Sequence, residues 1–382
     1  MQKIQFSDME LSNEMQRAVE EMGFEEPTSI QAASIPMILS GRDVIGHSQT
    51  GTGKTAAFSI PAIEKINPAG GRKTQVLILC PTRELAVQAC DEIRKFAKYK
   101  PSLKVVPIYG GQPIERQFTA LRGGAQIVVG TPGRVMDHMR RGTLKLDTLH
   151  MIILDEADEM LSMGFREDIE TILKDVPQER QTILFSATMS PEIMRITKQY
   201  QTDPELIRIT REQLTVPNIE QTYYEVPVGK KTEVLSRLLD VYNPSRSIVF
   251  CNTKKQVDEL VEELHARGYQ ARGLHGDMKQ GERTQIMNGF RRGSIDILVA
   301  TDVAARGIDV EDIAAVFNYD IPQDVEYYVH RIGRTGRARR QGVAVTFISD
   351  YPAKMRIDDI AQKTRNEIVP VKFDEDGRLT TA

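Results

Sequence analysis

The sequence predicts an α/β protein built from two tandem domains, each with a doubly wound parallel sheet. Its 382 residues, of which 40% are hydrophobic, suffice for two separate cores. Short runs rich in Val, Ile and Leu alternate with longer amphipathic stretches, which is typical of parallel strands covered by helices on both faces. This alternation stops at a polar segment, residues 210–219 (TREQLTVPNI), and then starts again. We therefore expect domains at residues 1–209 and 220–382, joined by that short linker.

Each predicted element is a short apolar run or an amphipathic stretch. The strands of the first domain are expected at residues 43–46, 75–80, 104–109, 126–130, 151–155, 182–185 and 205–209, with helical patterns at 84–98 and 191–200. Those of the second are expected at 247–251, 270–274, 296–300, 314–318 and 343–348, with helical patterns at 254–267 and 281–292. The polar final segment, residues 373–382, is expected to fray.

Composition and charge narrow the class of protein. The net charge of −3 excludes a globally basic nucleic-acid binder, so any such binding requires a local basic surface. The three cysteines, Cys80, Cys90 and Cys251, lack metal or redox spacing and are expected to be inert core residues of a reducing compartment. Residues 1–10 lack the apolar region of a secretory signal, and no membrane-spanning stretch is visible, so we expect a cytoplasmic protein.

Residues 48–55 (SQTGTGKT) follow a predicted strand and open a predicted helix, which is the context of a phosphate-binding loop. Glycines allow backbone N–H groups to point at phosphate oxygens, and the helix N-terminus adds partial positive charge. Lys54 is expected to reach the β- and γ-phosphates, and Thr55 to bind Mg²⁺. Ser48 stands where the general pattern has glycine. The alternative is a glycine-rich turn without a ligand.

Residues 155–158 (DEAD) follow directly after the apolar run that begins at residue 151. Carboxylates at the end of a parallel strand lie where such sheets bind ligands. Asp155 is expected to hold Mg²⁺ through water, and Glu156 to orient or deprotonate the attacking water. The alternative is a helix N-terminus whose acids complement its dipole.

The segment 155–158 is the motif that names the DEAD-box helicases, and the chain resembles that family, as a bacterial-type minimal core, from residue 6 to residue 337. The resemblance implies two RecA-like domains and an ATP-dependent RNA helicase. Residues 23–31 (GFEEPTSIQ) are similar to the family's Q motif, in which Gln31 reads the adenine edge and Phe6 stacks on the ring; core packing is the alternative for Phe6. The nucleotide-binding residues implied are Phe6, Phe24, Gln31, Ser48, Gln49, Thr50, Gly51, Thr52, Gly53, Lys54, Thr55, Asp309, Arg334 and Arg337.

Several strand-to-helix loops resemble the family's RNA-contacting motifs, among them residues 81–86 (PTRELA) and 131–134 (TPGR). Their helix N-termini, hydroxyls and arginines suit phosphate and sugar contacts, although each loop alone is also consistent with ordinary helix capping. The chain has no Trp and 6% aromatic residues, so we expect backbone contacts without sequence readout. The predicted RNA-binding residues are Thr82, Arg83, Gly110, Gly111, Thr131, Arg134, Thr253, Gly276, Asp277, Arg283 and Thr301.

Residues 330–337 (HRIGRTGR) interleave arginines with glycines, a composition suited to clamping polyphosphate. By the resemblance, Arg334 and Arg337 act as arginine fingers on the γ-phosphate and join Lys54, Asp155 and Glu156 as catalytic residues. The alternative is a basic surface turn near Arg339 and Arg340. The residues implied to couple nucleotide state to RNA are Asp158, Ser186, Thr188, Gln280, Arg306 and His330.

We therefore predict an RNA-stimulated ATPase that uses ATP and Mg²⁺, closes its two domains on RNA, and separates short duplexes or remodels RNA–protein complexes. An ATP-gated RNA clamp, an annealing role and a DNA helicase remain as alternatives, and the ribose 2′-OH is the physical discriminator for the last. We expect a monomer whose RNA target is chosen by a protein partner or by a tail outside this chain.

Overall fold

The computed structural model describes residues 5–48, 52–209, 219–305, 310, 313–323, 325–336 and 341–382, without the side chains of residues 280, 303 and 326. The chain divides into two compact units, Met1–Thr210 and Arg211–Ala382, and each is described by itself. The predicted linker falls on residues outside the described part, except for residue 219.

The first unit is built around a seven-stranded sheet in the order β3-β4-β2-β5-β6-β1-β7, in which all pairings are parallel. Its strands are β1 (Val44–His47), β2 (Val76–Leu79), β3 (Val105–Ile108), β4 (Ile127–Gly130), β5 (Met151–Leu154), β6 (Gln181–Ser186) and β7 (Glu205–Arg208). Its helices are α1 (Asn13–Glu21), α2 (Ser29–Leu39), α3 (Lys54–Glu64), α4 (Arg83–Phe96), α5 (Ile114–Arg122), α6 (Pro132–Arg140), α7 (Ala157–Ser162), α8 (Arg166–Asp175) and α9 (Pro191–Tyr200).

Strand β2 shows why this sheet is covered on both faces. All four of its residues are fully buried. Val76 and Ile78 pack into one apolar cluster, whereas Leu77 and Leu79 pack into another. Because successive side chains of a strand point to opposite faces, continuous apolar character requires a core on each side of the sheet.

The second unit contains an eight-stranded sheet in the order β10-β11-β9-β12-β13-β8-β14-β15, parallel except for the β14–β15 pair. Its strands are β8 (Ile219–Glu225), β9 (Ser247–Phe250), β10 (Ala271–Leu274), β11 (Ile297–Ala300), β12 (Ala315–Asn318), β13 (Gly342–Ile348), β14 (Val369–Phe373) and β15 (Leu379–Thr381). Its helices are α10 (Lys231–Tyr242), α11 (Lys254–Ala266), α12 (Gln280–Arg292), α13 (Asp302–Ala305), α14 (Val325–Ile332) and α15 (Tyr351–Thr364).

Every predicted strand is present with its ends displaced by at most one residue, which confirms the α/β class. Strands β8, β14 and β15 were missed by the sequence prediction. The expectation that residues 373–382 fray was wrong, because β14 pairs with β8 and forms an antiparallel hairpin with β15. Phe373 anchors that hairpin, since Tyr224 contacts its ring and the Arg237 guanidinium lies 3.9 Å from the ring centroid.

The three cysteines are buried and form no disulfide, as expected for core residues. Burial raises the pKa of Cys90 to about 12, so its thiol stays protonated and unreactive. Among the described residues, no helix has both the length and the apolar character needed to cross a membrane.

Candidate nucleotide site and nucleic-acid interface

The predicted site residues of the first unit lie at the edge of its sheet where the parallel strands have their carboxyl ends. The neighbours β5, β6 and β1 lead into the DEAD segment, residues 186–188 and the phosphate loop. The neighbours β3, β4 and β2 lead into Gly110 and Gly111, residues 131–134 and residues 82–83. Ligands of such sheets bind at this edge. Strand order therefore separates the residues predicted to bind nucleotide from those predicted to bind RNA, and we call these two sets the nucleotide half and the nucleic-acid half.

The phosphate loop brings a helix N-terminus to the end of β1. Gly53 has a φ of 89°, and a Cβ there would lie 2.5 Å from Nε2 of Gln31, so only glycine suits this position. Helix α3 begins at the next residue, Lys54. The Ser48 and Thr52 hydroxyl oxygens are 2.9 Å apart, so the serine that replaces the usual glycine ties the two sides of the loop together. Gln49, Thr50 and Gly51 lie outside the described residues.

Two buried polar atoms mark the centre of the nucleotide half: Nζ of Lys54 and Oδ1 of Asp155. These residues are only 6% and 7% exposed, and neither atom has a hydrogen-bond partner within the described part of the chain. A buried charged atom without a hydrogen-bond partner is costly. The two atoms therefore suit the binding of phosphate oxygens by Lys54 and of a cation by Asp155. The Asp155 carboxylate and the half-buried Thr55 hydroxyl offer the oxygen ligands that Mg²⁺ prefers.

The protonation of Asp155 also responds to this environment. Burial raises the pKa of Asp155 to about 7; the neighbouring Lys54 ammonium opposes the rise, and Glu156 adds to it. A bound divalent cation favours the ionised carboxylate and would act in the same direction as Lys54.

Glu156 occupies a strained backbone conformation directly after Asp155. Its φ is 52°, in the left-handed region, and it is the N-cap of α7. A non-glycine residue there costs roughly 1–2 kcal/mol, and such strain concentrates at functional sites. This left-handed conformation allows a sharp turn from β5 into α7. The turn keeps the carboxylates of Asp155 and Glu156 at the sheet edge.

Asp158 connects the DEAD segment to the loop after β6. Its Oδ2 accepts a hydrogen bond of 2.9 Å from the backbone N–H of Thr188, and the Ser186 hydroxyl donates to the Thr188 carbonyl at 2.7 Å. The same loop meets the phosphate-loop strand, since Nε2 of His47 lies 3.0 Å from the Ala187 carbonyl oxygen. The predicted coupling residues Asp158, Ser186 and Thr188 are therefore in direct contact.

Gln31 lies against the phosphate loop and is 1% exposed. Its Oε1 accepts from the Thr28 N–H at 2.9 Å, and its Nε2 donates to the Gly53 carbonyl at 3.1 Å. One N–H and one lone pair of the amide remain for an adenine edge.

Phe6 is 3% exposed and packs edge-to-face on the half-buried Phe24, with ring centroids 6.0 Å apart. The structure thus places Phe6 in the core, which was the alternative to stacking. Its contact with adenine stays a prediction that requires a face of the ring to become accessible.

The three loops of the nucleic-acid half combine helix caps with arginines. Thr82 caps α4 by accepting from the Leu85 N–H, and Thr131 is the N-cap of α6. The Arg83 guanidinium lies 4.4 Å from the ring centroid of Tyr109, and Arg134 donates to the Gln112 carbonyl at 3.1 Å. One terminal nitrogen (Nη1) of each arginine is buried and has no partner in the described ranges. Gly110 and Gly111 are exposed between these loops.

In the second unit, the loops after the neighbouring strands β10, β11 and β9 carry the predicted RNA residues. Thr253 caps α11 by accepting from the Gln256 N–H, and Asp277 pairs with Lys254. The Thr301 carbonyl accepts from the N–H groups of Ala304 and Ala305 at the start of α13. Arg283 lies in α12, which begins at Gln280, and Gly276 lies in the loop before it.

The arginine-rich segment begins within α14 and continues past its end. His330 lies in the last turn of α14, and the Arg334 N–H donates to the Arg331 carbonyl at 3.2 Å just after the helix. Arg306, Asp309 and Arg337 lie outside the described residues.

Comparison with known proteins identifies the family. Residues 28–196 match the model of the DEAD/DEAH box helicases, and residues 230–339 match that of the helicase conserved C-terminal domain. The chain is 55% identical over 344 residues to the DEAD-box ATP-dependent RNA helicase CshA of Geobacillus kaustophilus, covering 90% of this chain and 73% of that protein. The chain belongs to the DEAD-box ATP-dependent RNA helicase family. The Bacillus subtilis CshA helicase is 51% identical over 369 residues, which cover 97% of this DEAD-box chain and 74% of the relative.

Solved structures agree with this membership of the DEAD-box family. Saccharomyces cerevisiae Dbp5 bound to RNA and ADP BeF3 matches with a TM-score of 0.85 and 32% identity, covering 96% of this chain and 95% of that one. A DEAD box protein from Methanococcus jannaschii matches with a TM-score of 0.55 and 42% identity, covering 96% and 99%. The predicted RecA-like, doubly wound fold is confirmed by these likenesses.

Arg331 was missed by the sequence prediction, although it lies inside the arginine-rich segment of this DEAD-box helicase. It is 1% exposed. Its guanidinium forms two hydrogen bonds of 2.6 and 2.7 Å to the Asp302 carboxylate, and it also donates to the Asp320 carbonyl at 2.6 Å and to Asn252 at 3.1 Å. Helical periodicity could have predicted this burial, because Arg331 follows Tyr328 by three residues and therefore lies on the same, buried face of α14. This one side chain joins the loops after β9, β11 and β12.

Proposed function

We propose that this DEAD-box helicase holds RNA by its sugar-phosphate backbone and separates short duplexes locally, or remodels RNA–protein complexes, as ATP closes its two domains. The observation that carries the proposal is that Lys54 Nζ and Asp155 Oδ1, buried beside the phosphate loop, have no hydrogen-bond partner among the described residues. The other half of the same sheet edge carries Arg83 and Arg134, each with a buried nitrogen that finds no partner in the part of the chain that the structure describes. A nucleotide and a polyanion are the ligands that this combination suits.

In this proposal the first domain supplies the nucleotide site. Lys54 and the phosphate-loop N–H groups, including those of Thr52 and Gly53, bind the phosphates, and Gln31 reads adenine. Thr55 and Asp155, the latter through water, hold Mg²⁺, which when bound with the nucleotide neutralises charge on the phosphates. Glu156 orients the attacking water or takes its proton, which fits a carboxylate fixed in a strained turn next to Asp155.

The second domain is proposed to complete hydrolysis. Arg334 and Arg337 place guanidinium charge on the γ-phosphate as negative charge develops in the transition state, and Asp309 contacts the ribose. His330, Arg306 and Gln280 are proposed to transmit the state of the nucleotide. In the first domain, the hydrogen bond between Asp158 and Thr188 supports a coupling role for the loop after β6.

RNA is proposed to contact both domains through the loops named above, with no base readout. A single strand held bent by such contacts does not fit a regular duplex, so local strand separation follows. ATP and RNA each favour the closed state, and each therefore raises the affinity for the other.

The division into domains at 1–209 and 220–382, with the linker between them, is supported by the two compact units. We further propose that the protein acts as a cytoplasmic monomer. A protein partner or an additional RNA-binding segment is proposed to select its physiological RNA.

The test is steady-state ATP hydrolysis with no nucleic acid, with single-stranded RNA and with DNA of the same sequence, in wild type and in Glu156→Gln. We expect stimulation by RNA alone and a loss of turnover in Glu156→Gln with retained nucleotide binding. Glu159→Gln, an acid-to-amide change within helix α7, is the matched control and should keep wild-type turnover. Rapid turnover by Glu156→Gln, or equal stimulation by DNA, would contradict the proposal.

A further inference from the structure

A chain of side-chain contacts inside the first unit links the three loops of its nucleic-acid half. The Arg83 guanidinium lies over the ring of Tyr109, 4.4 Å from its centroid. The carbonyl of Tyr109 accepts a hydrogen bond of 2.9 Å from Nε2 of Gln117. Oε1 of Gln117 in turn lies 3.0 Å from Nε2 of His138, on helix α6. The chain thus begins in one RNA loop, passes the residue before Gly110, and ends on the helix that follows residue 131.

The side chains of Gln117 and His138 are removed from solvent. Gln117 is 3% exposed and His138 is fully buried, with the ring of Phe118 packed edge-to-face against the imidazole at 5.5 Å. The other ring nitrogen of His138, Nδ1, is 2.8 Å from the Thr143 hydroxyl oxygen. Every hydrogen-bonding side-chain atom of the Gln117–His138 pair therefore has a partner, which is how buried polar groups become rigid structural links.

The contacts place a proton on Nε2 of the imidazole. Because Nε2 of Gln117 must donate to the Tyr109 carbonyl, its Oε1 is left to accept, and Nε2 of His138 must carry the proton. Burial, with a smaller effect from Arg134, lowers the pKa of His138 to about 4. The ring is therefore neutral near pH 7, and Nδ1 is left to accept from the Thr143 hydroxyl, which also lies 3.1 Å from the His138 carbonyl oxygen as a second acceptor.

The consequence is a second connection between two RNA loops that are already joined at their surface. Arg134 donates to the Gln112 carbonyl at 3.1 Å, immediately after Gly110 and Gly111. The Gln117–His138 hydrogen bond connects the same pair of segments from beneath, through the Tyr109 carbonyl. Two links at different depths fix both the separation and the orientation of the loops.

We propose that His138 and Gln117 are positioning residues for RNA binding, holding the Gly110–Gly111 loop and the loop at residues 131–134 at the spacing of an RNA backbone. This inference rests on the RNA assignments of the proposed function. Neither side chain touches RNA itself, since both lie beneath the loops. A charge-assisted contact to phosphate depends steeply on distance, so a loop displaced by a fraction of an ångström weakens RNA binding.

The test compares His138→Leu with His138→Gln in RNA-stimulated ATP hydrolysis. Leucine leaves Oε1 of Gln117 without a donor, whereas the amide of glutamine restores an N–H close to the position of Nε2. We expect His138→Leu to raise the KM for single-stranded RNA about tenfold, with kcat at saturating RNA within about twofold of wild type. His138→Gln should recover most of the wild-type KM for RNA.

Gln126→Leu provides a control for general destabilisation. Gln126 is also buried and bonds three backbone groups, of Gly71, Ser102 and Lys104, but at the opposite end of β4. It should lower stability while leaving the KM for RNA unchanged. Equal effects of His138→Leu and Gln126→Leu on that KM would overturn the inference.

Arg134→Ala separates the two levels of the proposal. If Arg134→Ala leaves the KM for RNA unchanged, the RNA assignment of the loops is wrong. If Arg134→Ala raises it and His138→Leu does not, only the positioning role fails. Should His138→Leu not fold, Gln117→Met and Thr143→Val remove the contacts on either side of the imidazole, and an unchanged KM for RNA in both would equally overturn the inference.

Discussion

The residues of the nucleotide half differ in how well their roles can be predicted from the sequence. The roles of Lys54 and Gly53 are predictable from the sequence, because a phosphate loop needs a cation and a left-handed backbone conformation at fixed positions. The role of Gln31 is harder to predict from the sequence, since a side-chain amide can form many kinds of hydrogen bond. The structure gives Gln31 two local tasks, capping α2 through Thr28 and bonding the Gly53 carbonyl, in addition to its proposed contact with adenine.

Substitution of Gln31 tests its proposed contact with adenine. Gln31→Glu keeps an acceptor for the Thr28 N–H but cannot donate to the Gly53 carbonyl or to adenine, whereas Gln31→Ala loses both functions. We expect both variants to raise the KM for ATP about tenfold and to reduce the preference for ATP over GTP, because each loses the donor. Both variants should also lose thermal stability, Gln31→Ala through the missing capping hydrogen bond and Gln31→Glu because it buries a carboxylate against the Gly53 carbonyl.

Nucleotide competition and a thermal melt measure these two effects. An ATP-over-GTP preference that persists in both variants would remove Gln31 from adenine recognition and leave it as a structural cap of α2.

At the scale of elements, strand order decides what the loops build. Periodicity in the sequence located the strands to within one residue, because a strand covered on both faces is apolar throughout. It missed β8, where Gln221 and Thr222 are buried among the apolar residues, and the β14–β15 hairpin, where Pro370 and a polar turn interrupt any pattern. These elements are stabilised by pairing with distant strands, which a local pattern does not record.

Arg331 holds together three loops at the edge of the second sheet through its hydrogen bonds, so we expect it to contribute to the stability of the second unit. Arg331→Met leaves the Asp302 carboxylate, which is 24% exposed, without its bidentate partner, and also deprives Asn252 and the Asp320 carbonyl of a donor. Breaking such a pair from one side costs about 3–5 kcal/mol. Urea unfolding followed by tyrosine signals suits this measurement, since most tyrosines of the chain lie in residues 219–382.

Arg267→Met is the matched control, because its ion pair with Glu263 is exposed and is worth about 0.2–1 kcal/mol. A loss of stability in Arg331→Met no larger than in this control would mean that the buried network is replaceable by simple apolar packing.

At the scale of the whole molecule, hydrolysis is proposed to require both domains. Arg334→Ala should therefore bind ATP with nearly wild-type affinity and lower kcat by about a thousandfold or more, since an arginine finger acts on charge that develops in the transition state. Equilibrium binding of a fluorescent ATP analogue and RNA-stimulated turnover measure the two effects separately. Arg267→Ala, an exposed arginine of the same unit, should change neither. Equal losses of binding and turnover in Arg334→Ala would assign it to ground-state binding.

The sequence by itself determined the α/β class, the positions of all strands except β8, β14 and β15, the phosphate loop and the DEAD segment of this protein. These features are local: covering a strand on both faces dictates its composition, and a tight phosphate-binding turn dictates its glycines. Only the tertiary structure decided that β5, β6 and β1 are neighbours on one half of the edge while β3, β4 and β2 are neighbours on the other, because strand order in a sheet is not chain order. It also decided that Phe6 lies in the core, that Arg331 joins three loops, and that Gln117 meets His138. Burial and partnership of a side chain are set by residues far away in the chain, and no local pattern carries that information.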